Sequence, residues 1–166
     1  MPSGPPAEPP EELTAPFAYE GVWRFTAPAL ESSVPQARHA VRDLLIRRRV
    51  PVAEETVDAL LLIVSELVTN AVQHAALLSP EITVEVTVGA KRIRAAVEDD
   101  HPYRPKALQA DEGDIGGRGL WLVKMLTAEA GGGCDVEHTA SGGKAVWAEL
   151  PLAPVAGGPT SPPPAR

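Results

Sequence analysis

The stretch LLLIVSELVTNAVQHAA, Leu60 to Ala76, constrains this chain more than any other. At 3.6 residues per turn, Leu60, Ile63, Val64, Leu67, Val68, Ala71, Val72 and Ala75 fall on one broad apolar face, as a core-facing helix requires. Glu66, Asn70 and His74 do not join it as apolar residues; they run along its margin. Spaced four apart, they form a narrow polar stripe that fans about 80° around the axis, so a carboxylate, a carboxamide and an imidazole address the same space. A chain with this helix needs a partner layer for the dry side and leaves the other side for chemistry.

The stripe offers oxygen donors. The carbonyl of Asn70 suits Mg²⁺, an ion that keeps several waters and is held by one or two protein oxygens plus substrate phosphates. Glu66, one turn earlier, has the chemistry of a general base that takes a proton from a water or hydroxyl beside such a metal. An exposed Glu and Asn on an ordinary surface helix would have the same spacing, and the stripe alone does not separate the two cases.

The flanking elements follow from periodicity. GVWRFTA, Gly21 to Ala27, alternates Val22, Arg24 and Thr26 against Trp23 and Phe25 and reads as a first strand. Ser33 is the expected cap of a helix with Pro35 just inside it, running to about Arg48 and stopped by Pro51. Its Arg47, Arg48 and Arg49 suit a negative helix terminus as solvated caps, or a partner contact. The central helix is expected from near Ala53, with Glu54 and Glu55 in its first turn, to before Ser79-Pro80. Ile82, Val84, Val86 and Val88 alternate with polar residues. Gly89-Ala90-Lys91 then turns the chain into Arg92 to Glu98, making an antiparallel hairpin.

Asp99 closes the second strand of that hairpin. It can cap a turn, or accept a hydrogen bond from the exocyclic amine of an adenine. Pro102 and Pro105 exclude regular structure after it, so a loop over a site is expected up to Gly117. Gly116-Gly117-Arg118-Gly119 leads into a helical run from Leu120. Glycines before a helix admit a ligand close to the free N–H groups, so phosphate binding and a plain connector are both open. Gly131 to Gly133 end the helix. Cys134 to His138 and Lys144 to Leu150 then read as two strands joined by Thr139 to Gly143. Lys144 is expected as a solvated strand end, with reach to a phosphate as the other use. Trp147 is expected between sheet and helices.

The 166 residues suit one domain with tails. The expected division is a proline-rich disordered tail at 1–20, a domain at 21–152 and a second such tail at 153–166. With 15 Lys plus Arg against 22 Asp plus Glu, the net charge of −7 argues against direct nucleic-acid binding driven by phosphate neutralisation. The single Cys134, expected as a small buried apolar residue, excludes an intrachain disulfide and a cysteine zinc site. No apolar run is long enough to span a bilayer and the first residues lack signal-peptide character, so a cytoplasmic protein without membrane attachment is expected.

Four segments, ELVTNAVQH, a strand ending in VED, GGRGLWLV and GGKAVWAEL, occur in an order and spacing that resembles the histidine-kinase-like ATPases, the GHKL or Bergerat-fold superfamily. The compact form is most similar to the anti-sigma factor serine kinases and their actinobacterial relatives, over roughly residues 22 to 151. The resemblance implies an α+β two-layer sandwich, with a mixed, mainly antiparallel sheet carrying helices on one face, and ATP with Mg²⁺ as cofactors. By position it implies Glu66 as the base that activates the attacking hydroxyl, Asn70 as the Mg²⁺ ligand and Asp99 as the acid that reads the adenine amine. It further implies Gly117, Arg118 and Gly119 as the phosphate-side motif, with His74 as packing or support.

The sequence departs from the superfamily pattern at two places. Asp99 is followed by Asp100, His101, Pro102 and Tyr103 where Asp-x-Gly-x-Gly is usual, and Ala145 stands where a threonine is common. By resemblance the partners would be an anti-anti-sigma protein of the STAS type, phosphorylated on serine, and an RNA polymerase sigma factor, and a homodimer would be in keeping with related kinases. A non-catalytic nucleotide-sensing module that sequesters a partner is the alternative.

Overall fold

In the computed structural model, residues 19–75, 80–100 and 118–153 are described. They form β1 (Gly21–Pro28), α1 (Ser33–Arg47), α2 (Glu54–Ala75), β2 (Glu81–Val88), β3 (Arg92–Asp99), α3 (Arg118–Ala130), β4 (Gly133–His138) and β5 (Lys144–Pro151). The sheet order is β1-β2-β3-β5-β4, and every pairing among the described strands is antiparallel. This is the expected α+β architecture, in its fully antiparallel form.

Strict alternation decides which face of the sheet is dry. Ile82, Val84, Val86 and Val88 of β2, Ile93, Ala95 and Val97 of β3, and Val146, Ala148 and Leu150 of β5 are all buried. Against them pack the seven apolar positions of α2 from Leu60 to Val72, each buried as its spacing predicts. α2 lies over β2, β3 and β5, α3 over β4 and β5, and α1 packs on α2 and reaches β1, so the helices share one face. Burying one large aliphatic side chain stabilises by about 1.5–3 kcal/mol, which makes this shared layer the main source of stability.

The other face is polar and cross-linked. Arg24 bridges Glu85 at 2.6 Å and Glu98 at 3.0 Å, and the first of these contributes most to raising its guanidinium pKa above the usual value. Arg92 pairs with Glu149 at 3.0 Å, and Arg94 lies over the Trp147 ring at 4.3 Å from its centroid. Trp147 therefore does not pack between sheet and helices as expected. It shares strand parity with Glu149, away from the helix layer, and its register partners are Ala96 and Asp135.

Two helix ends correct or sharpen the sequence reading. Ser33 is the first residue of α1 and not its cap; its hydroxyl donates to the Pro28 carbonyl at 2.6 Å, fastening the helix to the end of β1. At the other end, Arg49 N–H donates to Ile46 and Val50 N–H to Leu45, with Arg49 at φ 51 in the position glycine normally takes. Arg47, Arg48 and Arg49 are exposed, and Arg48 also lies over Trp23, 5.2 Å from the ring centroid, so part of the solvated basic cluster is stacked on the sheet. Cys134 is half-buried against the core.

Candidate functional site

The polar stripe of α2 borders α3. Leu67 and Val68 are drawn into the core, which leaves Glu66 and Asn70 on the flank, half-buried and not freely exposed. Glycine at position 119, in the first turn of α3, makes this approach possible. A Cβ there would run into the Glu66 carboxylate, meeting Oε2 and lying 3.2 Å from Cδ. Two residues that the sequence keeps 53 positions apart are thereby brought into contact. Helix α3 begins at Arg118, two residues earlier than the apolar periodicity suggests. Gly117 and the Arg118 side chain lie outside the described residues, as does the expected loop over the site.

Asn70 carries an unusual atom. Its Oδ1 is buried and has no hydrogen-bond partner among the described residues, although a buried polar group without a partner costs about 1–3 kcal/mol. A carbonyl-type oxygen left this way is what a hard cation with its own waters and phosphate ligands would complete. Among the described residues no group of three or more His, Cys, Asp or Glu could hold a metal. Mg²⁺, which needs only one or two protein oxygens beside phosphates, would fit at Asn70 Oδ1. His74, one turn on, is half-buried and has interactions of its own.

The far end of the candidate site is built by the β3–β5 register, which sets Asp99 directly opposite Lys144. Both point to the helix-bearing face, by parity with Val97 and Val146. Lys144 Nζ donates to Asp99 Oδ1 at 3.0 Å and Oδ2 at 2.8 Å, with side-chain exposures of 0% and 1%. Lys144 is thus neither a solvated strand end nor a free phosphate ligand; it is the counter-ion of Asp99. Gly143 supports the pair from the preceding turn, where a Cβ would clash with the Asp99 carbonyl and sit 2.7 Å from Asp100 Cα. Ala145 is buried on the opposite parity, away from Asp99.

Sequence reasoning missed Lys144 and Gly143. Their signals were strand parity for the lysine and the second glycine of a Gly-Gly turn for close backbone approach.

Known proteins share this fold. The sequence profile of the histidine kinase-like ATPase domain matches residues 27–149. Among curated proteins, none matches by sequence. Among solved structures, the catalytic domain of the histidine kinase ThkA aligns at TM-score 0.50 with 15% identity, over 80% of this chain and 99% of that domain. Full-length ShkA, solved in complex with AMPPNP, aligns at 0.51 with 23% identity, over 80% of this chain and 32% of that one. These two show a common fold. The histidine kinase domain of the blue-light activated histidine kinase of Erythrobacter litoralis EL346 is 26% identical over 75% of this chain, at TM-score 0.49. The present chain covers 61% of that domain's length. No helix among the described residues is long and apolar enough to cross a membrane. With a profile match spanning most of its length and the fold to go with it, the chain belongs to the histidine kinase-like ATPase family.

Proposed function

We propose that this protein is an ATP-dependent protein-serine kinase that also acts as a regulatory binding protein. Its substrate would be a serine of an anti-anti-sigma protein of the STAS type, and its second partner an RNA polymerase sigma factor held inactive. The observation that carries the nucleotide-binding part is the buried, unpartnered Oδ1 of Asn70, one turn from Glu66. Membership of an ATPase family and the AMPPNP bound by ShkA support it. The choice of serine substrate and sigma factor rests on the resemblance of the four sequence segments.

Each residue has a part. Asn70 offers its Oδ1 as the protein ligand to Mg²⁺, which when bound neutralises charge on the phosphates. Asp99 accepts from the adenine amine. The start of α3, with Arg118 and Gly119 and preceded by Gly117, presents backbone N–H groups and the positive end of the helix dipole to the phosphates. Glu66 accepts the proton of the serine hydroxyl as its oxygen bonds to the γ-phosphorus and the bond to ADP breaks.

Incubating the protein with γ-labelled ATP, Mg²⁺ and a STAS-domain partner should move label to serine. Glu66→Ala should abolish transfer and retain nucleotide binding. Transfer at the wild-type rate by Glu66→Ala would exclude Glu66 as the base. A second reading, a non-catalytic nucleotide-sensing module, is favoured by one observation: Asp100, His101, Pro102 and Tyr103 follow Asp99 with no glycine among them. Nucleotide binding without label on any serine partner would select it.

A further inference from the structure

Where α1 ends, positive charge collects that nothing nearby neutralises. Residues 38–49 hold five arginines against one acid, Asp43, a net +4 that leaves −11 on the rest of the chain. Arginines on the open face of the sheet are matched: Arg24, Arg92 and Arg94 each have a glutamate within 3.4 Å. Arg47, Arg48 and Arg49 are exposed and make no ion pair among the described residues. A helix C-terminus favours basic residues in its last turn, but that preference does not explain what stands beside these.

Beside them is a cleft. Trp23 of β1 with Leu44, Arg47 and Arg48 line a space of about 410 Å³. Ligand clefts typically run to about 300–1,000 Å³, so this one admits side chains and not a folded surface. β1 is also an end strand, hydrogen-bonded to β2 alone among the described strands. The outer edge of such a strand offers a row of backbone N–H and C=O groups with which an extended chain can pair. Trp and Arg are the residue types that most often anchor a protein partner.

We propose that this cleft docks an extended acidic segment of a protein partner. An apolar side chain of the segment packs on Trp23 and Leu44, and its carboxylates meet Arg47 and Arg48, whose planar forks suit bidentate contact. A nucleic acid would bring phosphates to the same arginines, but a long polyanion must also pass over a surface carrying −11. A second copy of this chain would bring its own arginines, since a two-fold contact sets the same patch on both sides. Neither Asn70 nor Glu66 lines the cleft, so the test needs no nucleotide and its outcome is separate from that of the proposed kinase activity.

The probe is a short fluorescein-labelled peptide of aspartate and glutamate around one central leucine, titrated into the full chain at about 0.15 M salt. It should bind at least about tenfold more tightly than its asparagine and glutamine counterpart, the sum of a few exposed ion pairs. It should also shift the indole N–H resonance of Trp23, assigned by its loss in Trp23→Phe, and leave that of Trp147 in place. Arg47→Glu/Arg48→Glu should weaken binding about tenfold and come to prefer a lysine counterpart. Lys124→Glu, at an exposed position of α3, should leave binding within about twofold of wild type. Equal binding of the acidic and neutral peptides, no binding at about millimolar peptide, or an unmoved Trp23 resonance overturns the proposal. So does a single-stranded oligodeoxynucleotide that binds more tightly than the peptide, or a wild-type dimer that Arg47→Glu/Arg48→Glu dissociates. Tighter peptide binding by Glu8→Gln/Glu11→Gln/Glu12→Gln would assign the cleft to the chain's own first residues, and overturns it as well. The comparison of acidic and neutral peptides needs no variant, so the test holds even if the charge reversal does not fold.

Discussion

Removing the ammonium at Lys144 should be among the most damaging single changes in this fold. Its nitrogen lies 2.8 Å from Asp99 Oδ2 with both side chains out of contact with water. At an effective dielectric of about 20, opposite charges at that distance attract by about 6 kcal/mol before desolvation is counted. Lys144→Met strands the carboxylate, and breaking a buried pair from one side costs about 3–5 kcal/mol. Against a total stability of about 5–15 kcal/mol, the loss is a large share. At about 4 °C per kcal/mol it should lower Tm by about 12–20 °C. Asp99→Leu should do comparable damage by stranding the ammonium. The double variant Asp99→Leu/Lys144→Met strands neither, and should lie within about 2 kcal/mol of wild type, because a buried pair replaced by apolar groups is often near neutral. Urea unfolding of the four proteins gives the coupling energy directly. A double variant destabilised by the sum of the two single losses would refute the claim that the pair is a mutually compensating buried unit.

Other perturbations separate site from scaffold. Gly119→Ala places a Cβ against the end of the flexible Glu66 side chain, so it should cost less than about 1 kcal/mol by urea titration. The same variant should slow serine phosphorylation roughly a hundredfold, because it moves the base. Gly143→Ala meets backbone instead, at the Asp99 carbonyl and Asp100 Cα, and should destabilise by about 1–3 kcal/mol in thermal unfolding. Arg49→Gly relieves a left-handed residue at φ 51 and should stabilise by about 0.5–1 kcal/mol; an unchanged Tm would show that the conformation is not strained. Leu67→Ala, at a fully enclosed position of α2, should cost about 2–5 kcal/mol.

How much of this was legible in the sequence depends on whether the governing contact is local. The apolar face of α2 and the alternation of β2 and β3 are one-dimensional patterns, and the α2 positions from Leu60 to Val72 and the alternating apolar residues of the two strands are buried where their periods placed them. Glu66 and Asn70 could be put on one flank for the same reason. Their surroundings could not, because Gly119 comes from α3 and no spacing rule links it to Glu66. Lys144 was misjudged by a local rule, that lysine beside a Gly-Gly turn is solvated, while its partner sits 45 residues away. Parity with Val146 and Leu150 points inward, and the ion pair is what makes an inward lysine tolerable. Trp147 is the reverse case, expected between sheet and helices while its parity with Glu149 points out. Ser32 and Ser33 differ by one residue, and only the bond to Pro28 distinguishes helix start from cap.

The proposed kinase activity requires Mg²⁺ and nucleotide to meet at Asn70. Calorimetric titration with ATP in the presence and absence of Mg²⁺, for the wild type and Asn70→Ala, measures this most directly. The wild type should bind ATP more tightly with Mg²⁺ than without, and Asn70→Ala should lose that difference while staying folded. An undiminished Mg²⁺ effect in Asn70→Ala, or no heat from the wild type at millimolar ATP, would contradict it.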